Sequence, residues 1–197
     1  MSGYDGTMIA KVVARLERRA EPPLLVPPAE WDAELTAALQ STALEELFGG
    51  RPIGDGTAAE AVRAGLLLWN DALDASHKVS QGIDTPLGSY WHGIMHRREP
   101  DYGNARYWFQ KVGKHAAMPR VREAVLAAGA PGAGAPAVRR LCTAIEAQAA
   151  WDAERFVDWC EGAHASGAGD PVATFLRAAQ LEEMRVLLAF SFAQATG

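Results

Sequence analysis

The sequence predicts an all-α protein, a single-domain helical bundle of about seven or eight helices. Three observations predict it. Apolar residues recur at intervals of three and four rather than alternating. Alanine is abundant while valine, isoleucine and threonine are scarce, and clusters of proline and glycine punctuate the periodic segments. At 197 residues the chain has the length of one domain and can bury about 70% of its unfolded surface in a single core.

The first helix is expected from Thr7 to Arg19, ending before Pro22 and Pro23 because the residue preceding a proline avoids the helical region. Glu21 to Pro28 then reads as an extended connector. A second helix is expected from Ala29 to Phe48, with Pro28 suited to its first turn and the Gly49-Gly50 pair ending it. Thr57 followed by Glu60 has the form of a capping box, opening a third helix that reaches Ser80 and stops at Gly82 to Pro86. The fourth, Leu87 to Arg98, halts before Pro100, and the fifth runs from Asp101 or Tyr102 to Gly113, so that the two form a tight helical hairpin. After a short helix, Pro119 to Ala128, the Gly/Ala/Pro segment 129–136 reads as a flexible loop. Two long helices close the chain, Ala137 to Ala165 and Pro171 to Thr196, with Asp170 as N-cap and Pro171 as first helical residue of the second.

Composition excludes several classes of function. Apolar runs such as Gly65 to Trp69 fall far short of the roughly 20 residues a transmembrane helix needs, so no membrane partner is expected. Met1 to Gly6 lacks the basic start and apolar run of a signal peptide, and the expected location is cytoplasmic. Cys142 and Cys160 make neither a disulfide framework nor a metal knuckle. A net charge of -5 argues against a nucleic-acid partner, whose binding rests on neutralised phosphates. No oligomeric state is specified.

One block, Leu68 to Lys114, departs from the alanine-rich pattern. At 100° per residue along a continuous third helix, Asn70, Asp74, His77 and Gln81 fall in one stripe about 60° wide, flanked by Leu66, Leu67 and Leu73. Polar groups buried without partners cost about 1–3 kcal/mol each, so such a stripe implies a network, a ligand or a wet cleft. His92 and His96 lie one turn apart, the spacing at which two imidazoles share a metal. With His77 they make a candidate three-histidine site for a divalent metal. The glutamate of the metalloprotease pattern is missing, since Gly93, Ile94 and Met95 stand between them. Asp74 and Glu183 are the candidate carboxylates, and with His77 the candidate acid–base residues; Glu183 lies on the face of Leu176, Leu187 and Phe190 and requires a partner there, which Arg97, Arg98 or a histidine of the block would supply.

Arg97 and Arg98 either complement the end of their helix, together with Glu99 and Asp101, or hold an anion bidentately. Six aromatics, Tyr90, Trp91, Tyr102, Tyr107, Trp108 and Phe109, supply packing and the walls of a small-molecule pocket. The residues assigned to ligand binding on this reading are Asn70, Arg97, Arg98, Tyr107 and Trp108.

Two resemblances follow from these residues. Gly93 to Val112 resembles one tetratricopeptide unit, with Gly93, Ala105 and Phe109 at the small and aromatic positions, Asp101-Tyr102 at the turn, and departures at His96 and Pro100. A single copy implies a local helical hairpin rather than a peptide-binding array. The fuller string LGSYWHGIMHRREPDYGNARYWFQKVG, Leu87 to Gly113, is similar to a block in a family of uncharacterised bacterial and fungal all-helical proteins. That resemblance implies a helical fold and an important block, and names no reaction. The functional expectation is a small-molecule-binding protein or enzyme with a His/carboxylate pocket, metal-binding in its three-histidine form; the alternatives are a helical interaction module or a structural polar network without a ligand.

Overall fold

Helix is the only regular structure in the computed structural model, which describes residues 3–129, 134–164 and 170–197. Among the described residues there are eleven helices: α1 Met8–Leu16, α2 Ala33–Ser41, α3 Leu44–Leu47, α4 Gly56–Trp69, α5 Leu73–Ser80, α6 Pro86–Arg98, α7 Tyr102–Val112, α8 Met118–Gly129, α9 Pro136–Glu146, α10 Ala153–Ala163 and α11 Pro171–Thr196. The all-helical bundle stands, and the count of seven or eight is too low.

Where local chemistry sets a helix end, the sequence marks it. Thr7 Oγ1 accepts the Ala10 amide to open α1, Thr85 does the same for Gly88 with Pro86 in the first position of α6, and the Asp170 carboxylate accepts the Val172 amide at 2.7 Å. Asp101 caps α7, and Gly113 ends it at φ 58°. One cap differs from expectation. Asp55, not Thr57, opens α4 by accepting the Thr57 and Ala58 amides, and Glu60 pairs with Arg63 at 3.0 Å instead of reaching back.

The expected second, third and penultimate helices are each broken, for one shared reason. In every case a distant arginine takes the carbonyl oxygens at a helix C-terminus, satisfying groups that a continuing helix would otherwise bond. Arg63 donates to Leu39 and Thr42, and the chain turns extended at Thr42 and Ala43 between α2 and α3. Arg122 donates to Ile145 and Glu146, separating α9 from α10. At the end of α4, Arg98 donates to Leu68 and Arg19 to Trp69.

This last break is a Schellman ending: the Ala72 amide bonds Leu67 O, the Asp71 amide bonds Leu68 O, and Asp71 sits at φ 62°, a position usually given to glycine. Both arginines hold the Asp71 carboxylate, Arg98 on one oxygen and Arg19 on the other at 2.6 Å. Two further expectations concern residues outside the described set. Positions 130–133 of the expected flexible loop, position 165 at the end of the expected penultimate helix and positions 166–169 of the expected last connector lie there.

At the centre of the fold lies α6, with 12 of its 13 residues buried. A helix buried all round is ordinarily apolar, and this one carries two histidines, two arginines, a serine, a tyrosine and a tryptophan. Gly65 of α4 admits the Trp91 ring, which a Cβ there would meet at 2.6 Å, and the indole N–H donates to Ser191 of α11 at 3.0 Å. That contact pins α6 between α4 and α11. Ser76 donates to Ala64 O at 2.9 Å and folds α5 back onto α4, so that α5 lies along another face of α6. Among the described residues, no helix is long and apolar enough to cross a membrane.

Candidate metal centre

The break at Asp71 decides where the polar residues of the third predicted helix point. Asn70 is fully buried and turns away from the histidines, donating to Asp32 O at 2.8 Å and Thr36 Oγ1 at 2.9 Å to clasp α4 to α2. Asp74 and Gln81 are exposed. The continuous stripe therefore does not exist, because a rotation of 100° per residue cannot be carried through a left-handed residue. His77 alone of the four faces α6.

There it meets His92 and His96. The ring centroids lie 4.8 Å apart for His77 and His92, 5.2 Å for His77 and His96, and 4.8 Å for the stacked pair His92 and His96. One nitrogen from each ring can be chosen so that all three lie within 4.8 Å of one another. Tetrahedral zinc needs nitrogens about 2.0–2.1 Å from the ion. Nitrogens spread over up to 4.8 Å would have to draw together to share one ion. Among the described residues this is the one group of three or more His, Cys, Asp or Glu side chains placed to share an ion.

The surroundings of His92 and His96 favour their neutral forms. His92 is 3% exposed and His96 7% exposed. Burial, reinforced by the other two imidazoles and Lys111, pushes His92 down to about 3. His96 is also lowered, by burial and then by His77, against an upward pull from Glu99 and Asp101. Neutral imidazole is the form that binds metal. Trp108 of α7 stacks on His92 with centroids 4.0 Å apart, and the Lys111 ammonium sits 4.3 Å from the Trp108 ring. Gly93 permits this close approach of α7, since a Cβ there would lie 3.0 Å from the Phe109 ring. Neither nitrogen of His92 has a protein hydrogen-bond partner among the described residues.

The opposite side of α6 is organised differently. Glu183 is fully buried and accepts from Arg97 at 2.6 Å, Trp151 at 2.8 Å and Tyr90 at 3.2 Å. The Arg97 guanidinium also lies over the Phe156 ring, 4.5 Å from its centroid. Glu183 therefore has its partner, and it is Arg97 rather than a histidine. Arg98 is engaged with Asp71, Leu68 O and Leu24 O, while Arg97 reaches Glu183 through Nη2 alone, its Nε and Nη1 being buried without a hydrogen-bond partner among the described residues. Tyr107 is 54% exposed on the outside of α7.

Sequence reasoning missed Glu99 as a neighbour of the triad, assigning it to the arginines. Its Oε2 lies 3.3 Å from His96 Nδ1. The three-residue helical spacing was the available signal. Glu99 also borders a cavity of about 550 Å³, lined by Pro27, Thr36, Asp71, Asp74 and Lys78 as well, which adjoins α5 without being lined by the histidines themselves. No protein-family model, curated protein or solved structure matches the chain.

Proposed function

We propose that this protein binds a divalent d-block metal through His77, His92 and His96, and that the metal uses its remaining coordination position to act on a small molecule. The observation that carries this reading is His92, 3% exposed with neither ring nitrogen hydrogen-bonded among the described residues. A buried imidazole in that state forfeits about 1–3 kcal/mol that a single hydrogen bond would recover. Ligation supplies the missing bond. An all-imidazole donor set suits zinc, iron, nickel or copper rather than magnesium or calcium.

Three protein ligands are the pattern of catalytic zinc, where the fourth position holds water whose pKa falls to about 7. Hydrolysis or hydration is the corresponding reaction class. Trp108 supplies an apolar wall beside His92, and the cavity beside Glu99 gives a small molecule room to approach. The acid–base reading without metal is weaker, because Asp74 is exposed and Glu183 is engaged with Arg97.

The test is metal analysis and zinc titration of protein purified without a histidine tag, beside His92→Ala and His77→Ala. The expected result is one ion per wild-type chain, a metal-dependent rise in melting temperature, and loss of both in either variant. A wild-type chain that takes up neither zinc nor cobalt and shows no such rise removes the reading.

A further inference from the structure

The three histidines differ in what stands behind them. His92 is clamped between Trp108 and His96 by stacking, with no carboxylate in contact. Among the described residues His96 alone has one, Glu99, and the helix itself puts it there: Glu99 caps α6 with its amide still bonded to Met95 O, and Pro100 follows. Position 99 is thus the last that shares the face of His96. Nearby Asp101 is occupied, accepting the Asn104 amide at 3.2 Å and the Asn104 side chain at 2.6 Å. The Glu99 carboxylate makes no other ion pair among the described residues and keeps 45% of its side-chain surface exposed, so it can turn. At 3.3 Å from Nδ1 it is within ionic range but off the line of a hydrogen bond, and a small rotation aligns it.

We infer that Glu99 is the positioning residue of this centre: it accepts the Nδ1–H of His96, fixes that tautomer, and so presents Nε2 to the metal. The inference rests on the metal reading above and adds to it which atom ligates and why. A carboxylate behind a ligating imidazole orients the ring and raises its basicity. It also offsets the charge of a dication placed among three imidazoles, with the Lys111 ammonium over the Trp108 ring that stacks on His92. Glu99 touches no reacting atom in this arrangement. It acts through His96.

Two measurements test it. Zinc affinity, determined against a competing chelator, should fall about 10–100-fold in Glu99→Gln and stay within about twofold of wild type in Asp84→Asn, an exposed carboxylate just before α6. Equal affinities of wild type and Glu99→Gln overturn the proposal. Long-range proton–nitrogen NMR of the metal-free wild-type protein should find His96 protonated on Nδ1, and Glu99→Gln should shift the population toward the Nε2–H form. An Nε2–H tautomer in the wild type overturns the proposal whether or not metal binds. Failure of the wild type to bind zinc while His96 is Nδ1–H would instead strike the metal reading and leave the orienting contact standing.

Discussion

The two sides of α6 make opposite uses of buried polar groups. Toward α11, Arg97 meets Glu183, whose two oxygens receive three donors from Arg97, Tyr90 and Trp151. Toward α5 and α7, His92 meets two other imidazoles and an indole, and neither of its nitrogens is hydrogen-bonded among the described residues. A carboxylate with both oxygens engaged specifies packing, even though Arg97 keeps Nε and Nη1 without partners, while an imidazole with neither nitrogen bonded reserves both for something the described residues do not supply. Residues that were read together as one candidate pocket thus separate into a structural network and a candidate site.

The comparison breaks most readily at Glu183. Glu183→Gln should cost about 3–5 kcal/mol in chemical denaturation, because a fully buried guanidinium loses its counter-charge. Replacing both partners, Arg97→Met with Glu183→Leu, should recover most of that loss while leaving zinc affinity unchanged. A double variant that folds but no longer binds zinc would show that the two sides are coupled after all.

Acid should find the histidine side. With its folded value depressed to about 3, His92 stays neutral in the fold and takes up a proton on unfolding, so its effect on stability is absent above the unfolded value near 6.5. Below that, metal-free protein should lose stability as pH falls toward the folded value, by up to about 1.4 kcal/mol per pH unit from this residue. Denaturation at pH 7, 6 and 5 checks it, and a His92→Leu variant should show a flatter profile.

Arg122→Met tests the broken helices. Removing two half-buried donors from the end of α9 should cost about 1–2 kcal/mol and raise amide exchange near residues 145–150. The smallest effect is expected for His92→Leu at pH 7. The metal-free variant should lie within about 1 kcal/mol of wild type, or above it, since no hydrogen bond is lost and a polar group leaves the interior. A loss well beyond that would mean His92 has structural partners.

What could be read from sequence was what neighbouring residues decide. Thr85 with Pro86, Asp101, Gly113 and Asp170 with Pro171 each end or begin a helix through contacts within four positions. His92 and His96 were legible as a pair for the same reason. The breaks at Thr42, Asp71 and Ala147 were not, because the groups that hold them, Arg63, Arg98 with Arg19, and Arg122, come from more than twenty positions away. Treating α4 and α5 as one helix then carried Asn70 and Asp74 into the same stripe as His77. Glu183 was identified correctly as a carboxylate in need of a partner, with Arg97 among the candidates; local periodicity could not choose between Arg97 and the histidines.

The indole stacked on His92 gives the site an optical signature. Trp108 is one of six tryptophans, and it is the one whose ring lies against a candidate ligand, at 4.0 Å. An open-shell ion such as cobalt or copper held by that imidazole would drain the excited state of Trp108 far more efficiently than that of a tryptophan buried elsewhere. The emission lost on adding the ion, and retained in Trp108→Phe, would report occupancy without a substrate, a label or an assay.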